Sequence, residues 1–449
     1  MTHVCRSWRN SLLSTPSLWT QLDFSTPNSE QAVCFLGRSG GSTPLDTYQL
    51  LESENDVEPF LSITLSNIHR LQRLEIASFL FYLEPVLARF RESAPELKHL
   101  EIANEIDITD REMNIQDKFC GGRLPKLLSL TLHHLRTDLR AYSFPSLTRF
   151  CFTAIKMSPN HLTSFFERCP SLEFIKISLC LPRRPAAPPK KRVRLAALKE
   201  LRFDQSASGC GLLDHLILPE CTEMFLMGNF TGVEFNDHGS PAARIHPSSI
   251  NHLPVTREIT KAVAMPNSCI LSGPGGNLRF WCFEGTRDNF DAGFFTSFSP
   301  ISVSGIRELW VGQRSKISSC SSRRPWKQTA AGVHGAFGVL TKVEDLTIVN
   351  CETEPFFSAL EPTADDGVLL PGLWKLTIYV GRGDLDASVL VRCAKTRKEH
   401  SRPLGKVIVV FEKEPEDDLV KGVELLRVFV GNLICCIGET PKMLWDGGE

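Results

Sequence analysis

One short pattern recurs along most of this 449-residue chain: apolar-x-x-apolar-x-apolar. Instances are Leu71-Leu74-Ile76, Leu97-Leu100-Ile102, Leu127-Leu130-Leu132, Leu147-Phe150-Phe152, Leu172-Ile175-Ile177 and Leu198-Leu201-Phe203. Cys221-Met224-Leu226, Leu278-Trp281-Phe283, Ile306-Leu309-Val311, Val343-Leu346-Ile348, Leu373-Leu376-Ile378 and Leu404-Val407-Val409 complete the series. Chance alone gives roughly a dozen such triplets in a chain this long, so the triplet by itself decides nothing. Its spacing and its prefix do. Successive first positions lie 26, 30, 20, 25, 26, 23, 57, 28, 37, 30 and 31 residues apart, and 57 is close to two ordinary steps. Six triplets carry proline two residues earlier (Pro95, Pro125, Pro145, Pro170, Pro219 and Pro371), where 28 prolines in 449 residues would place about one.

Each unit therefore predicts a short strand entered through a proline-fixed turn, with the second and third apolar residues on one face. Helical stretches separate the strands. Ser158-Pro159 opens one that buries Leu162, Phe165 and Phe166, and Val86, Leu87 and Phe90 mark another. A stripe of Leu419, Val423, Leu426, Val430 and Leu433 predicts a longer helix closing the C-terminal end. Strand, turn and helix at about 20–30 residues per unit predict an α/β solenoid with one short strand plus a helix or loop per repeat. Proline-, glycine- or charge-rich stretches near 180–194, 227–277 and 313–335 read as insertions; 227–277 is either that or one degenerate repeat.

The N-terminus has a different character. Val4, Trp8 and Leu12 recur at i, i+4 and i+8, one apolar stripe on a short helix. Thr15-Pro16 then supplies an N-cap and a proline at the first helical position of a second turn carrying Leu18 and Trp19. A piece this small cannot make a private core, so these residues need a partner surface, either the rest of the chain or another protein.

The string VCRSWRNSLLSTPSLW resembles the second half of an F-box, the adaptor-binding module of cullin–RING ubiquitin ligases. It is especially similar to the version found in large fungal families, where a V-C-R-x-W-R helix precedes S-T-P-x-L-W. The family's opening element, a Leu-Pro-x-Glu-Ile/Leu turn and first helix, is expected upstream of Thr2. The repeats resemble the irregular units of F-box/leucine-rich-repeat proteins, without the Asn/Cys ladder of regular ones. The resemblance implies an irregular leucine-rich-repeat-like solenoid preceded by a partial F-box: residues 1–25 as the module, 26–70 as a linking helix/strand segment, 71–449 as the array. It further implies a substrate-recognition subunit of a Skp–cullin–F-box E3 ubiquitin ligase. Val4, Cys5, Trp8, Leu12, Pro16, Leu18 and Trp19 would bind the Skp-type adaptor, and the array would bind a target protein. The alternative is a leucine-rich-repeat interaction scaffold with no ligase link.

Composition narrows the remaining classes. With 50 basic and 51 acidic residues there is no global field to attract nucleic acid or an anionic membrane. No apolar run approaches the ~20 residues of a membrane span. Fifteen cysteines are scattered without C-x-x-C or zinc spacing, so they read as buried, reduced small hydrophobes, Cys435-Cys436 included, in a cytoplasmic or nuclear setting. No metal or cofactor is expected. Gly37-Arg38-Ser39-Gly40-Gly41 matches G-x-S-x-G formally, but a helix-like run precedes it and an extended segment follows, the inverse of a nucleophile elbow. Gly273-Pro274-Gly275-Gly276 lacks the Lys-Ser/Thr of a phosphate loop, and adjacent His133-His134 point to opposite faces of a strand. No catalytic constellation assembles, and no enzyme is expected. The basic run Lys190, Lys191, Arg192 and Arg194 reads as a nuclear-import signal, an acidic-partner patch or a solvated loop.

Overall fold

Five of the six prolines ahead of the triplets (Pro95, Pro125, Pro145, Pro170 and Pro371) occupy the second position of a tight turn in the computed structural model. The Leu97 amide donates to the Ala94 carbonyl (3.2 Å), Leu127 to Leu124 (3.2 Å), Leu147 to Phe144 (3.2 Å), Leu172 to Cys169 (3.3 Å) and Leu373 to Leu370 (3.0 Å). Proline suits this place because its fixed φ is that of the turn's second residue and its missing N–H is not needed there. Leu198 and Val343 close the same turn on Leu195 and Leu340 without proline. The residue that opens the turn (Ala94, Leu124, Phe144, Cys169, Leu195, Leu340, Leu370) is buried each time. The repeat thus has a fourth apolar position, three residues before the triplet. The next amide then reaches one unit back: Lys98 to Gln72 (2.8 Å), Leu128 to Lys98 (2.8 Å), Thr148 to Leu128 (2.9 Å), Glu173 to Thr148 (2.8 Å) and Lys199 to Glu173 (2.9 Å). The strand entrances are therefore stitched into a ladder, which satisfies the turn's backbone donors.

The structure describes residues 5–25, 29–78, 80–104, 114–115, 119–137, 139, 142–153, 159–178, 192–204, 210–213, 215–228, 253–265, 268–282, 302–312, 329–362, 367–381 and 385–438. They divide into two compact units, Met1–Cys221 and Thr222–Glu449.

The first unit begins with α1 (Arg6–Leu13), a 3₁₀ turn (Pro16–Trp19), β1 (Gln21–Asp23), α2 (Ser29–Arg38), β2 (Leu45–Leu51) and α3 (Val57–Ser66). It continues through β3 (Leu71–Ser78), α4 (Leu80–Arg89), β4 (His99–Asn104), β5 (Asn114–Ile115), β6 (Ser129–His133), β7 (Arg136–Thr137) and β8 (Arg149–Thr153). It closes with α5 (Pro159–Phe166), β9 (Phe174–Ser178), β10 (Val193–Arg194), β11 (Glu200–Asp204), α6 (Cys210–Leu213) and β12 (Leu216–Ile217). Strands β1, β2, β3, β4, β6, β8, β9 and β11 pair in that order, all parallel. The register sets the triplets side by side: Leu74, Leu100, Leu130, Phe150, Ile175 and Leu201 form one row, and Ile76, Ile102, Leu132, Phe152, Ile177 and Phe203 the next. The sheet starts upstream of Leu71, because Thr47 and Gln49 of β2 hold the same two rows. Both are buried and satisfied, Thr47 Oγ1 donating to the Arg73 carbonyl (3.3 Å) and Gln49 Nε2 to the Leu50 carbonyl (2.6 Å). Polar chains in those positions hide β2 from an apolar pattern. Buried phenylalanines join successive units: Phe24 meets Phe60 at 5.6 Å, Phe60 meets Phe90 at 6.3 Å and Phe90 meets Phe119 at 5.6 Å.

The second unit contains β13 (Glu223–Gly228), β14 (Lys261–Met265), β15 (Ser268–Gly273), β16 (Gly276–Cys282), β17 (Glu308–Gly312), α7 (Ala330–Val339) and β18 (Asp345–Val349). After these come α8 (Glu354–Leu360), β19 (Lys375–Val380), α9 (Ala387–Glu399), β20 (Lys406–Phe411), α10 (Asp417–Glu424), a 3₁₀ turn (Leu425–Val428) and β21 (Asn432–Ile437). Strands β17 to β21 run parallel in chain order. At the other end, β14, β15 and β16 form an antiparallel meander whose outer members pair parallel with β17 and β13. The described part of 227–277 thus includes a hairpin pair built into the sheet. Its register corrects one triplet: Leu278 and Phe280 pair with Met224 and Leu226 and are buried, while Trp281 pairs with Met227 and Phe283 lies outside the described residues. The hairpin turn at Gly273–Gly276 sets that register, and backbone crowds it so closely that a Cβ on Gly273 would stand 2.5 Å from the Glu258 carbonyl oxygen.

Three further expectations change. The end of the expected 313–335 insertion opens the helix α7 (Ala330–Val339), which buries Val333, Ala336 and Phe337. The stripe from Leu419 to Leu433 is not one helix, since α10 stops at Glu424 and Leu433 lies in β21. Gly431 follows the break, where the chain passes so close to Gly405 that a Cβ would stand 2.7 Å from its carbonyl oxygen. Cys435 and Cys436 are exposed rather than buried, because β21 pairs only with β20 among the described residues.

Candidate protein-docking surface

Helix α1 buries none of its residues. Trp8 is 61% exposed, Leu13 42% and Leu18, on the following 3₁₀ turn, 54%. Cys5 and Pro16 are exposed, Leu12 and Trp19 half-buried; Val4 lies outside the described residues. Arg6 and Arg9 are the only charged residues between Cys5 and Leu22. The result is an apolar helical surface with a basic fringe.

Trp19 behaves differently from Trp8. Its Nε1 donates to the Leu12 carbonyl (2.9 Å), its ring meets Phe35 edge-on at 5.0 Å, and the Arg38 guanidinium lies 4.7 Å from the ring centroid. The chain's own α2 therefore supplies Trp19 with its surface. Pro16 begins the 3₁₀ turn as expected, but Thr15 does not cap it. The Thr15 hydroxyl donates to the Ser11 carbonyl (2.7 Å) and closes the end of α1 instead. Of the six described residues expected at the adaptor contact, Cys5, Trp8, Pro16 and Leu18 are exposed, Leu12 is half-buried, and Trp19 packs against α2. Leu13 and Val33 (52% exposed) are also exposed, though the i, i+4, i+8 stripe omits both.

Of the basic run, Lys190 and Lys191 lie outside the described residues; Arg192 and Arg194 are exposed, Arg194 on β10 against β12.

Ser39 of the G-x-S-x-G string is buried where α2 ends, before β2. Its hydroxyl donates to the Leu36 carbonyl (2.8 Å) and accepts from Arg70 Nη2 (2.9 Å). Arg70 is itself buried, donates through Nε to the Thr43 carbonyl (2.7 Å), and is held below the usual guanidinium range by burial. This is a structural clasp at a helix-to-strand turn. Among the described residues, no group of three or more His, Cys, Asp or Glu side chains could hold a metal, and no helix is long and apolar enough to cross a membrane.

No family model matches this chain, and no curated protein matches it. Among solved structures, a crystal structure of a Bacteroides fragilis protein is similar at 10% identity over 90% of this chain and 76% of that one. The TM-score is 0.21, too low to carry an argument. The fold stands on its own geometry: mixed α/β, with open and mostly parallel sheets.

Proposed function

We propose that the chain is the substrate-recognition subunit of a Skp–cullin–F-box E3 ubiquitin ligase. In this reading α1 and its 3₁₀ turn are the second half of an F-box, and the parallel strands behind them form an irregular leucine-rich-repeat solenoid that binds a target protein. The observation that carries it is α1: a helix with a tryptophan and two leucines but no buried residue, in the stretch that resembles the adaptor-binding motif. Exposed aromatic and aliphatic anchors on one short element mark a protein-docking site. The registered rows support the repeat reading. The chain's contribution is proximity rather than bond-making, since holding a target near the charged enzyme raises effective concentration. A reducing cytoplasmic or nuclear setting goes with this role.

A second reading keeps the repeats and drops the ligase. Trp19, locked onto α2, acts as a cap on the first strands, as solenoid ends require. One experiment separates the two. The full chain is co-expressed with a Skp-type adaptor, beside a Trp8→Ala/Leu18→Ala variant. Co-purification with the intact chain and its loss in the variant are expected; no co-purification with the intact chain leaves the scaffold.

A further inference from the structure

Strand β21 is paired with β20 on one side and, among the described residues, with nothing on the other. Its inward row shows the consequence. Val311, Ile348, Ile378 and Val409 are fully buried at the position that Cys435 occupies in β21, yet Cys435 is exposed. Ile437 is 62% exposed, and Val428 on the preceding turn 65%. Natural sheet edges are protected by charge, proline, bulges or shortness. β21 has none of these: it runs six residues, Asn-Leu-Ile-Cys-Cys-Ile, in unbroken register with β20. β1, by contrast, is three residues long and ends in Asp23.

We propose that this edge pairs antiparallel with β21 of a second copy about a two-fold axis. A two-fold axis sets each strand against itself, so an edge with charged residues would repel its own copy, whereas a neutral apolar edge is self-complementary. Directly opposed residues must share a face of the joined sheet, which places the axis at Cys435 or at Ile434. The first register sets Cys435 across from Cys435 of the second copy. The second sets Leu433 across from Cys435.

The test is the mass of the full chain by light scattering under reducing conditions over a wide concentration range. Twice the chain mass is expected. Ile434→Lys and Ile437→Lys, each at an exposed site, return it to one chain with the circular dichroism spectrum unchanged. In a Cys5→Ser/Cys34→Ser/Cys436→Ser background, mild copper oxidation gives a covalent dimer through Cys435 in the first register; adding Ile434→Cys gives one in the second. A single-chain mass throughout, or a dimer that survives both lysines, overturns the proposal and leaves the edge to residues 439–449 or to a different protein.

Discussion

Trp19 gives its indole proton to the Leu12 carbonyl at 2.9 Å, which ties the 3₁₀ turn to the last turn of α1. That bond fixes which of the two N-terminal tryptophans serves the fold. Trp8 makes no comparable contact and is 61% exposed.

Trp19→Ala is expected to destabilise the chain by about 2–3 kcal/mol, from lost ring packing and the lost indole hydrogen bond to Leu12, whose carbonyl keeps the Thr15 amide. Trp19→Phe keeps the packing and costs about 1 kcal/mol for the hydrogen bond. Trp8→Ala stays within about 0.5 kcal/mol, as surface substitutions do. Urea denaturation of the three variants checks the ordering, and a Trp8→Ala loss as large as that of Trp19→Ala contradicts it.

Gly276 has φ +119°, and a Cβ there would collide with the Thr222 carbonyl. Gly276→Ala is expected to cost about 3 kcal/mol or more, combining steric overlap with backbone strain. Gly41, where a Cβ would meet nothing within 4 Å, serves as the control, and Gly41→Ala leaves stability nearly unchanged. Thermal melts of both variants decide it.

Arg397 is fully buried on α9 and donates from Nη1 to the Leu369 carbonyl (2.8 Å) and from Nη2 to the Leu370 carbonyl (3.0 Å). Leu370 has φ +47°, so the guanidinium fork clamps a strained turn. Burial holds Arg397 below the usual guanidinium range. Arg397→Met, similar in volume, removes both guanidinium bonds, leaving Leu370 only its Leu373 amide donor, and is expected to cost about 2–4 kcal/mol. Arg397→Lys, which cannot fork, recovers only part of that. Equilibrium unfolding of the two variants is the check.

Asp386 caps α9, accepting from the Ser388 hydroxyl (2.6 Å) and amide (2.9 Å), and these bonds hold its carboxyl below the usual value. A depressed folded value means stability present above the unfolded pKa and lost as pH falls through the folded one. Asp386→Ala is therefore expected to cost about 1 kcal/mol at neutral pH. The gap from the parent chain closes as pH drops below the ordinary value of 3.8. A gap that stays constant to the lowest pH contradicts the assignment.

Thiol reactivity follows strand position. Burial pushes Cys169 and Cys393 up to about 12 and raises Cys120 further, so none of the three labels until the chain unfolds. Cys5, Cys34, Cys435 and Cys436 are exposed and label in the native state. Cys435 is the slower of the adjacent pair, its thiol raised by partial burial and by Glu424. Timed maleimide labelling with peptide mass mapping reads the order directly.

Much of the fold was legible in the residues because its repeat is local. A proline-led turn and two apolar residues on one face depend on neighbours a few positions away, so Leu97-Leu100-Ile102 and Leu373-Leu376-Ile378 announce their strands. β2 was expected as an extended link but not as part of the repeat, because Thr47 and Gln49 meet their hydrogen-bonding needs in the core and so break no physical rule while breaking the pattern. The meander escaped because its hairpin shifts the pairing, putting Leu278 where Trp281 was expected. At the docking surface, the residue types were visible but their directions were not.

The sequence by itself determined where the parallel strands begin, which residues line their rows, and that the N-terminus carries more apolar surface than it can bury alone. Only the tertiary structure decided that Trp19 is satisfied within the chain while Trp8 is not, and that Cys435, apolar in pattern, ends on an open edge. The physical reason is the same in both cases. Periodicity sets which way a side chain faces along its own element, but burial depends on what packs against that face, and that partner comes from elsewhere in the chain.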